Sequence, residues 1–422
     1  MSMKKRVCII GAGPAGLYAA KRCLDAVQFD VSVFEQTDQL GGTWVYCPET
    51  NVHSSMYEKM STNIPREVMA FPEVPFPESD RSFIPHQEVL QYLQRFGSEF
   101  EEIIKYNTKV VTVKRANSGW DVTIDSADSG TTNLKFDIVF VANGHYSCPR
   151  IPEFAESLHV PWIHSHDYRS ASVYAEKTVV VAGAGPSGID IALQIGQKAK
   201  KVYLCHNAHD TTKLEFPKQI NIVPGLRGTS ESGKDLLLSD GTTLSNVDAV
   251  VLCTGYKFDF PFLSKDLVQT PLDGSYISPL FAHTAHVQYP ESLFFLGMNI
   301  TVVPFILYAY QLDLALALIN GRAAEIGLDT IQGWEKVQME KLAANGIPSK
   351  YYHNLAEKQW DFFKELANFA GTEYRTPEVL RAIYDAAGAA RKVNVATYKR
   401  MNFEVSEDGS FKIVDSGLSD FD

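Results

Sequence analysis

The sequence predicts an α/β fold with two doubly wound, Rossmann-like domains, the second inserted into the first, and a helical region at the C-terminal end. Three observations support this prediction. A strand, a glycine-rich turn and a helix follow one another over residues 6–26, and the same order returns over residues 177–196. Two further apolar strands, FDIVFVA at 136–142 and AVVLC at 249–253, precede short polar linkers. Alternating strands and helices build parallel sheets, and the repeat implies two of them.

The spacing of the repeat sets the expected domain boundaries. The last glycines of the two turns, Gly16 and Gly188, lie 172 residues apart (188 minus 16). We expect residues 1–148 to form the first part of one domain and residues 149–262 to form the inserted domain. Residues 263–422 would then complete the first domain and add the helical C-terminal region.

The size, composition and net charge of the chain exclude several classes of function. The chain has 422 residues, of which 45% are apolar and 21% are charged, as is typical of a globular protein. Its net charge of −11 repels phosphate backbones, so we expect no nucleic-acid partner. The six cysteines are scattered, without metal-ligand spacing, and predict reduced thiols and no metal site. A homo-oligomer is compatible with these features.

The N-terminal residues and the longest apolar run bear on the cellular location of the protein. Residues Met1 to Ile10 run straight into a strand, without the features of a signal peptide. The longest apolar run, Val302 to Ile319, contains Asp313 and predicts a buried helix rather than a membrane span. We therefore expect a cytoplasmic protein with no membrane span. A secreted protein whose signal peptide has been removed is the alternative.

The first glycine-rich turn, GAGPAG at residues 11–16, is typical of a dinucleotide site. Gly11, Gly13 and Gly16 permit a tight turn, and the unpaired N–H groups of the following helix face a pyrophosphate. Glu35 lies 19 residues after Gly16 (35 minus 16), at the end of the next strand. A carboxylate there accepts hydrogen bonds from a ribose with a free 2′-hydroxyl. The turn therefore predicts binding of FAD or NAD.

The second turn, GAGPSG at residues 183–188, has the same glycine spacing but lacks the acid. Asn207 occupies the matching position, so no carboxylate is available for a free 2′-hydroxyl. This favours NADPH over NADH, although the arginine that usually binds a 2′-phosphate is also missing. His206, His209 and Lys213 are nearby substitutes, but such residues are also typical of a solvated surface.

Two dinucleotide sites predict two cofactors that exchange a hydride, and two reaction classes compete for them. A disulfide reductase needs a cysteine pair beside the flavin. The stretch Gly41 to Cys47, which follows the first strand–helix–strand unit, has one cysteine and no partner at short spacing. An oxygenase needs no protein redox group, because the flavin itself carries the oxygen. The sequence therefore favours an oxygenase that consumes O₂.

Several segments, in order, resemble the flavin-containing monooxygenase family (class B flavoprotein monooxygenases). The resemblance covers nearly all of the chain up to about residue 325. The matching segments are GAGPAG at 11–16, GGTW at 41–44, YEKMSTNIPREVMAFPEVPFP at 57–77, VANGHYSCPRIP at 141–152, HSHDYR at 164–169, GAGPSG at 183–188 and CTGYKFDFPFL at 253–263. The short length and missing hydrophobic tail are similar to the soluble insect members, which include the senecionine (pyrrolizidine-alkaloid) N-oxygenases.

The resemblance implies FAD and NADPH/NADP as cofactors and carries roles to matching positions. Asn63 would lie over the flavin and help to hold the C4a-hydroperoxyflavin and bound NADP⁺, because its amide both donates and accepts. It is the one catalytic candidate, and no metal is expected. The residues expected at FAD are Gly11, Gly13, Pro14, Ala15, Gly16, Glu35, Gln36, Gly42, Thr43, Trp44, Thr62, Asn63 and Gln311. Those expected at NADP are Gly183, Gly185, Pro186, Ser187, Gly188 and Asp190.

The resemblance also implies the reaction: one oxygen atom is transferred to a nucleophilic nitrogen or sulfur of a small xenobiotic. The favoured substrate is a tertiary-amine (pyrrolizidine) alkaloid. The family signature that ends here in His164 and Tyr168 has Leu158 and Val160 in place of Phe and Gly, and Asn143 replaces the usual linker Thr. Tyr168 rather than Trp favours heteroatom oxygenation over Baeyer–Villiger oxidation. A Baeyer–Villiger enzyme, an uncoupled NAD(P)H oxidase and a non-catalytic flavoprotein are the alternatives.

Overall fold

The computed structural model describes residues 4–50, 52–206, 215–406 and 408–417. The elements of its first part are β1 Lys5–Ile10, α1 Pro14–Asp25, β2 Phe29–Phe34, α2 Arg66–Met69, α3 His86–Gly97, β3 Ile104–Lys105, β4 Thr108–Arg115, β5 Trp120–Ser126, β6 Gly130–Phe136, β7 Ile138–Val141 and β8 Cys148–Pro149. The middle part forms β9 Trp162–His164, β10 Thr178–Ala182, α4 Pro186–Gly196, β11 Lys201–His206, β12 Ile220–Pro224, β13 Leu226–Thr229, β14 Leu236–Leu238, β15 Thr243–Leu244, β16 Ala249–Leu252 and β17 Tyr256–Lys257. The last part forms β18 Leu280–Phe281, β19 Ala285–His286, β20 Leu293–Phe295, α5 Pro304–Ala317, α6 Ala323–Ile326, α7 Leu328–Ala344, α8 Gln359–Ala370, α9 Glu378–Val393, β21 Met401–Val405 and β22 Phe411–Asp415.

The first large sheet has the strand order β18-β19-β20-β7-β1-β2-β3. Its strands from β20 to β3 are parallel, whereas β19 is antiparallel to both of its neighbours, β18 and β20. All four residues of β7 are buried, as a central parallel strand covered on both faces requires. Strand β20 comes from the last third of the chain and pairs with β7 from the first third.

The second large sheet has the order β12-β11-β10-β16-β9, and all of its pairings are parallel. Its central strand β10 leads into the second glycine-rich turn and helix α4, just as β1 leads into the first turn and α1. The predicted fold class is therefore confirmed. The domain boundaries at residues 148 and 262 stay a prediction.

Smaller elements complete the fold. Strands β4, β5 and β6 form an antiparallel sheet, and β13, β14 and β15 form another. The C-terminal region is helical through α7, α8 and α9, as expected, but it also contains the β21–β22 hairpin. This hairpin was not predicted. Its strands are short and largely solvent-exposed, so their sequence carries no buried apolar run that would indicate a strand.

The apolar run from residue 302 folds into the buried helix α5. Its one charged residue, Asp313, is buried and accepts from Arg22 at 2.8 Å and from Arg375 at 2.5 Å, which explains how a carboxylate is tolerated there. Across the described ranges, we find no helix with the length and apolar character needed to traverse a bilayer. The cytoplasmic location remains a prediction.

Candidate functional site

The first glycine-rich turn is shaped by direct backbone contacts. Gly11 has a φ of +102°, and a Cβ there would lie 2.7 Å from the carbonyl oxygen of Ala142. A Cβ on Gly16 would lie 1.9 Å from the carbonyl oxygen of Gly11. Only glycine allows α1 to begin this close to β1 and β7. The helix N-terminus is thereby placed at the carboxyl edge of the parallel strands, where such folds bind ligands.

Glu35 is held in one position beside this turn. Its carboxylate is buried at the end of β2. One oxygen accepts from the Ala12 N–H at 2.8 Å, and the other accepts from the N–H and the hydroxyl of Thr37, both at 2.9 Å. Each carboxylate oxygen can accept more than one hydrogen bond, so Glu35 retains capacity for a ligand hydroxyl.

A cavity of about 590 Å³ opens at this edge of the sheet. This volume is in the range of small-molecule and cofactor sites. The predicted FAD residues that line it are Gly11, Gly13, Pro14, Ala15, Glu35, Gln36, Gly42 and Thr43. The wall also contains residues that the sequence did not single out, namely Thr108, Lys109, Val110, Asp259, Phe262, Leu296, Gly297 and Tyr308.

The remaining wall is rich in histidine. His53, His145 and His166 line the cavity together with Asn143. Within the described residues, the buried side-chain oxygen of Asn143 has no hydrogen-bond partner, and the His145 ring lies near the backbone of Gly297. Burial lowers the pKa of His145 to about 4, so its ring is neutral at pH 7. An unpaired buried polar atom beside this cavity fits a polar cofactor such as FAD.

Five predicted FAD residues lie outside the wall of this cavity. Gly16 packs beneath the turn, as described above, and Trp44 is buried just past the lining residue Thr43. Thr62 is also buried, and its hydroxyl has no partner among the described residues. Gln311 accepts from the N–H of Gly297 at 3.0 Å and donates to Thr284 at 3.1 Å, so it supports the wall from behind.

Asn63, the catalytic candidate, lies at a separate, water-sized gap of about 10 Å³. Pro186 and Asp190 of α4 share that gap, together with Tyr398 and Lys399 from the C-terminal part of the chain. Asn63 therefore lies beside the start of α4 and outside the wall of the cavity at the first turn. Its expected place over the flavin stays a prediction.

The second turn repeats the geometry of the first. Gly183 has a φ of +117°, and a Cβ on Gly188 would lie 1.8 Å from the Gly183 carbonyl oxygen. The residues at the start of α4, Gly185, Pro186 and Ser187, are exposed to solvent. An open helix N-terminus of this kind can receive a pyrophosphate, so the residues present fit a nicotinamide dinucleotide.

Asp190 is already engaged by protein groups. Its carboxylate accepts from the Tyr57 hydroxyl at 2.6 Å, from the Gln194 amide at 3.0 Å and from the Lys399 ammonium at 2.9 Å. All of these side chains are buried or nearly so. Asp190 thus stabilises the packing of the 57–61 segment on α4, a contact that reading the motif alone did not reveal.

The linker after β16 is fixed by a histidine. His164 donates from Nε2 to the carbonyl oxygen of Gly255 at 3.0 Å and accepts at Nδ1 from the N–H of His166 at 3.1 Å. These partners define a neutral tautomer, and burial lowers the pKa of His164 to about 4. Tyr168 is buried and donates to Gln194 at 3.3 Å. Both signature residues therefore have structural contacts.

The remaining predictions concern thiols, metals and the 2′-phosphate. All six cysteines are free, and the thiol of Cys47 donates to Glu49 at 2.9 Å. In the parts of the chain that are described, no group of three or more potential metal ligands occurs. Asn207, His209 and Lys213, which bear on NADPH preference, lie outside the described residues.

Comparison with known proteins gives a consistent set of relatives. The family described as flavin-binding monooxygenase-like matches residues 4–211. The Arabidopsis thaliana flavin-containing monooxygenase FMO GS-OX4 is 32% identical over 410 residues, covering 89% of this chain and 88% of the relative. FMO GS-OX-like 4 from the same plant is 33% identical and covers 93% of both chains.

Solved structures agree with these relatives. The S-allyl-L-cysteine S-oxygenase from Allium sativum is 31% identical with a TM-score of 0.84, over 96% of both chains. Tmm from Pelagibacter sp. strain HTCC7211 is 26% identical with a TM-score of 0.82, over 98% of both chains. A cyclohexanone monooxygenase, at 13% identity and a TM-score of 0.61, shares the fold alone.

Proposed function

The chain belongs to the flavin-containing monooxygenase family, and we propose that it transfers one oxygen atom from O₂ to a nucleophilic sulfur or nitrogen of a small molecule. As a member of this family it is a flavin-dependent monooxygenase whose cofactors are FAD and NADP(H). We assign FAD to the cavity at the first glycine-rich turn and NADP to the exposed start of α4.

The observation that carries the proposal is the state of the cysteines. Cys47 is the one cysteine in the stretch from Gly41 to Cys47, which follows the first strand–helix–strand unit, and its thiol contacts Glu49 rather than another cysteine. A reductase would pass electrons from the flavin to a thiol pair, and no second cysteine lies at short spacing from Cys47. Reduced FAD, when bound, supplies the electrons that activate O₂.

In this scheme the chain's own residues bind FAD, hold the cavity wall in place and provide the amide of Asn63. Glu35 and the turn at 11–16 hold the ribose and pyrophosphate of FAD, and Gln311 keeps Gly297 in place in the cavity wall. Asn63 lies beside the start of α4, where NADP is assigned, and its amide can donate to one group and accept from another. A sulfide or a neutral amine attacks oxygen with its own lone pair. No protein base is therefore needed for the transfer.

Two substrate classes follow, and each has its own support. Sulfide oxygenation is supported by the 31% identity to an S-allyl-L-cysteine S-oxygenase over nearly the whole chain. N-oxygenation of a tertiary-amine alkaloid is supported by the resemblance of the sequence motifs to those of the insect N-oxygenases. We propose the chemistry that both classes share, an uncharged sulfur or nitrogen with a free lone pair, and keep the pyrrolizidine alkaloid as the narrower hypothesis.

The decisive experiment measures stoichiometry with the FAD-loaded protein. Consumption of NADPH and of NADH is followed while H₂O₂ and products are quantified, with S-allyl-L-cysteine, a pyrrolizidine alkaloid, cyclohexanone or no addition. We expect substrate-dependent NADPH use, little H₂O₂ and a sulfoxide or an N-oxide. A lactone from cyclohexanone would instead indicate Baeyer–Villiger oxidation. Complete conversion of NADPH to H₂O₂ with every compound would indicate an oxidase.

A further inference from the structure

The C-terminal part of the chain reaches across to the segment that carries Asn63. Asn394 forms a bridge with Glu215, and Val395 packs in the same apolar cluster as Tyr57 and the buried residues of α4. Further on, the N–H of Phe403 donates to the Ser82 hydroxyl at 2.9 Å. Residues 394–403 thus contact both α4 and the long loop that includes Asn63.

Lys399 is the polar centre of this contact. Its ammonium donates to the carbonyl oxygen of Ser61 at 3.2 Å, to the Ser61 hydroxyl at 3.0 Å and to Asp190 at 2.9 Å. The side chains of Lys399 and Asp190 are only 9% and 10% exposed. Burial alone would lower the pKa of Lys399, but the attraction of Asp190 outweighs it and the pKa is raised. The lysine is therefore charged and directs three donors at fixed acceptors.

The segment from residue 57 to 61 is fastened to α4 at three successive points. The hydroxyl of Tyr57 donates to Asp190 at 2.6 Å, and the carbonyl oxygen of Lys59 accepts from Gln194 at 3.1 Å. Lys399 supplies the third point, because it joins Ser61 to Asp190. Asn63 comes two residues after Ser61 in the chain. The third point is therefore the one nearest to Asn63.

We propose that Lys399 is a positioning residue of the reaction: it fixes Ser61 to α4 and so sets the place of Asn63 beside the start of α4. The role rests on the proposed function of Asn63, whereas the contact itself does not. A displacement of about 1 Å at a reacting centre can change a rate by about a hundredfold. Loss of this fastening is therefore expected to affect the fate of the activated oxygen more than the binding of FAD.

The test compares Lys399→Met with Lys392→Met, which removes an exposed lysine of α9. Hydrogen exchange is measured by mass spectrometry without NADPH. For Lys399→Met we expect exchange of the peptide covering 57–66 to become about tenfold faster, which corresponds to about 1.4 kcal/mol of local stability. Exchange of α3 should not change, and Lys392→Met should match the wild type in both peptides. Unchanged exchange at 57–66 in Lys399→Met would overturn the proposal.

The second readout is the fraction of NADPH that ends as H₂O₂ in the presence of substrate. We expect this fraction to rise severalfold in Lys399→Met at equal FAD content. If exchange accelerates but only Asn63→Ala raises H₂O₂, Lys399 is merely structural and the proposal is wrong. If neither variant raises H₂O₂, the assigned role of Asn63 in the proposed function fails, while the faster exchange still supports the fastening.

A double variant separates positioning from simple charge compensation. Lys399→Met alone leaves the buried carboxylate of Asp190 without its counter-ion, which can unfold the chain. Combining it with Asp190→Asn removes both charges, and we expect the resistance to urea to recover. Exchange at 57–66 should nevertheless stay fast, because the bonds to Ser61 are still missing. Slow exchange in the double variant would show that Lys399 only balances the charge of Asp190.

Discussion

Replacing the last glycine of each turn by alanine should separate the two cofactor sites. In Gly16→Ala the new Cβ would lie 1.9 Å from the carbonyl oxygen of Gly11, and in Gly188→Ala it would lie 1.8 Å from that of Gly183. Close C–H···O contacts are found at about 3.3 Å or more, so the helix must move away by about 1.4 Å or more. In both variants the new Cβ would clash with a backbone carbonyl oxygen, so no side-chain rotation can relieve the contact.

The two displacements should have different consequences. Overpacking of this kind costs about 1–3 kcal/mol of stability, and it also shifts the N–H groups that face the pyrophosphate. We expect Gly16→Ala to be purified with little FAD. Gly188→Ala should keep its FAD but bind NADPH at least tenfold more weakly, because a loss of about 1.4 kcal/mol has that effect.

The assay is flavin absorbance per protein together with the dependence of flavin reduction on NADPH concentration. Gly333→Ala in α7 is the matched control, since no atom lies within 4 Å of the added Cβ. Alanine favours a helix over glycine by about 1 kcal/mol, so this variant should be at least as stable as the wild type. Full FAD content in Gly16→Ala, or unchanged NADPH dependence in Gly188→Ala, would refute the steric argument.

Three further predictions test buried polar residues that stabilise the fold around the site, namely Asp313, Gln311 and His164. Asp313→Asn should lower the free energy of unfolding by about 2 kcal/mol in urea titrations, because two partly exposed arginines lose their shared carboxylate while the FAD cavity is untouched. Gln311→Leu should cost about 1–3 kcal/mol and speed FAD release, because the Gly297 N–H loses its acceptor; Gln311→Glu, which keeps an acceptor, should retain FAD better. Stability should fall as pH falls from about 6.5 to about 4, since the folded state holds His164 neutral and the unfolded state takes up the proton. A His164→Asn variant should show a smaller loss of unfolding free energy over that pH range.

The turns and central strands were predictable because their signals are local. A glycine at positive φ, a close carbonyl and an apolar strand all lie within a few residues of each other, as at Gly11 and Gly183. The wall of the cavity was only partly predictable. Its unpredicted residues, such as Lys109, Asp259 and Tyr308, come from elements far apart in the chain and meet only because β4 and the segments after β17 and β20 converge there.

Asp190 and Gln311 show where motif reasoning reaches its limit. Both were assigned to cofactors through the family resemblance, yet both side chains are committed to buried hydrogen bonds within the protein. Asp190 follows Gly188 by only two residues, but its carboxylate binds groups that are distant in sequence. Tyr57 is 133 residues from Asp190, and Lys399 is 209 residues from it. No pattern in the sequence links these partners, since their pairing depends on how separate parts of the fold pack. The residues that hold a reactive group in place are therefore harder to predict than those that touch the cofactor, and here they are found where the C-terminal segment meets α4.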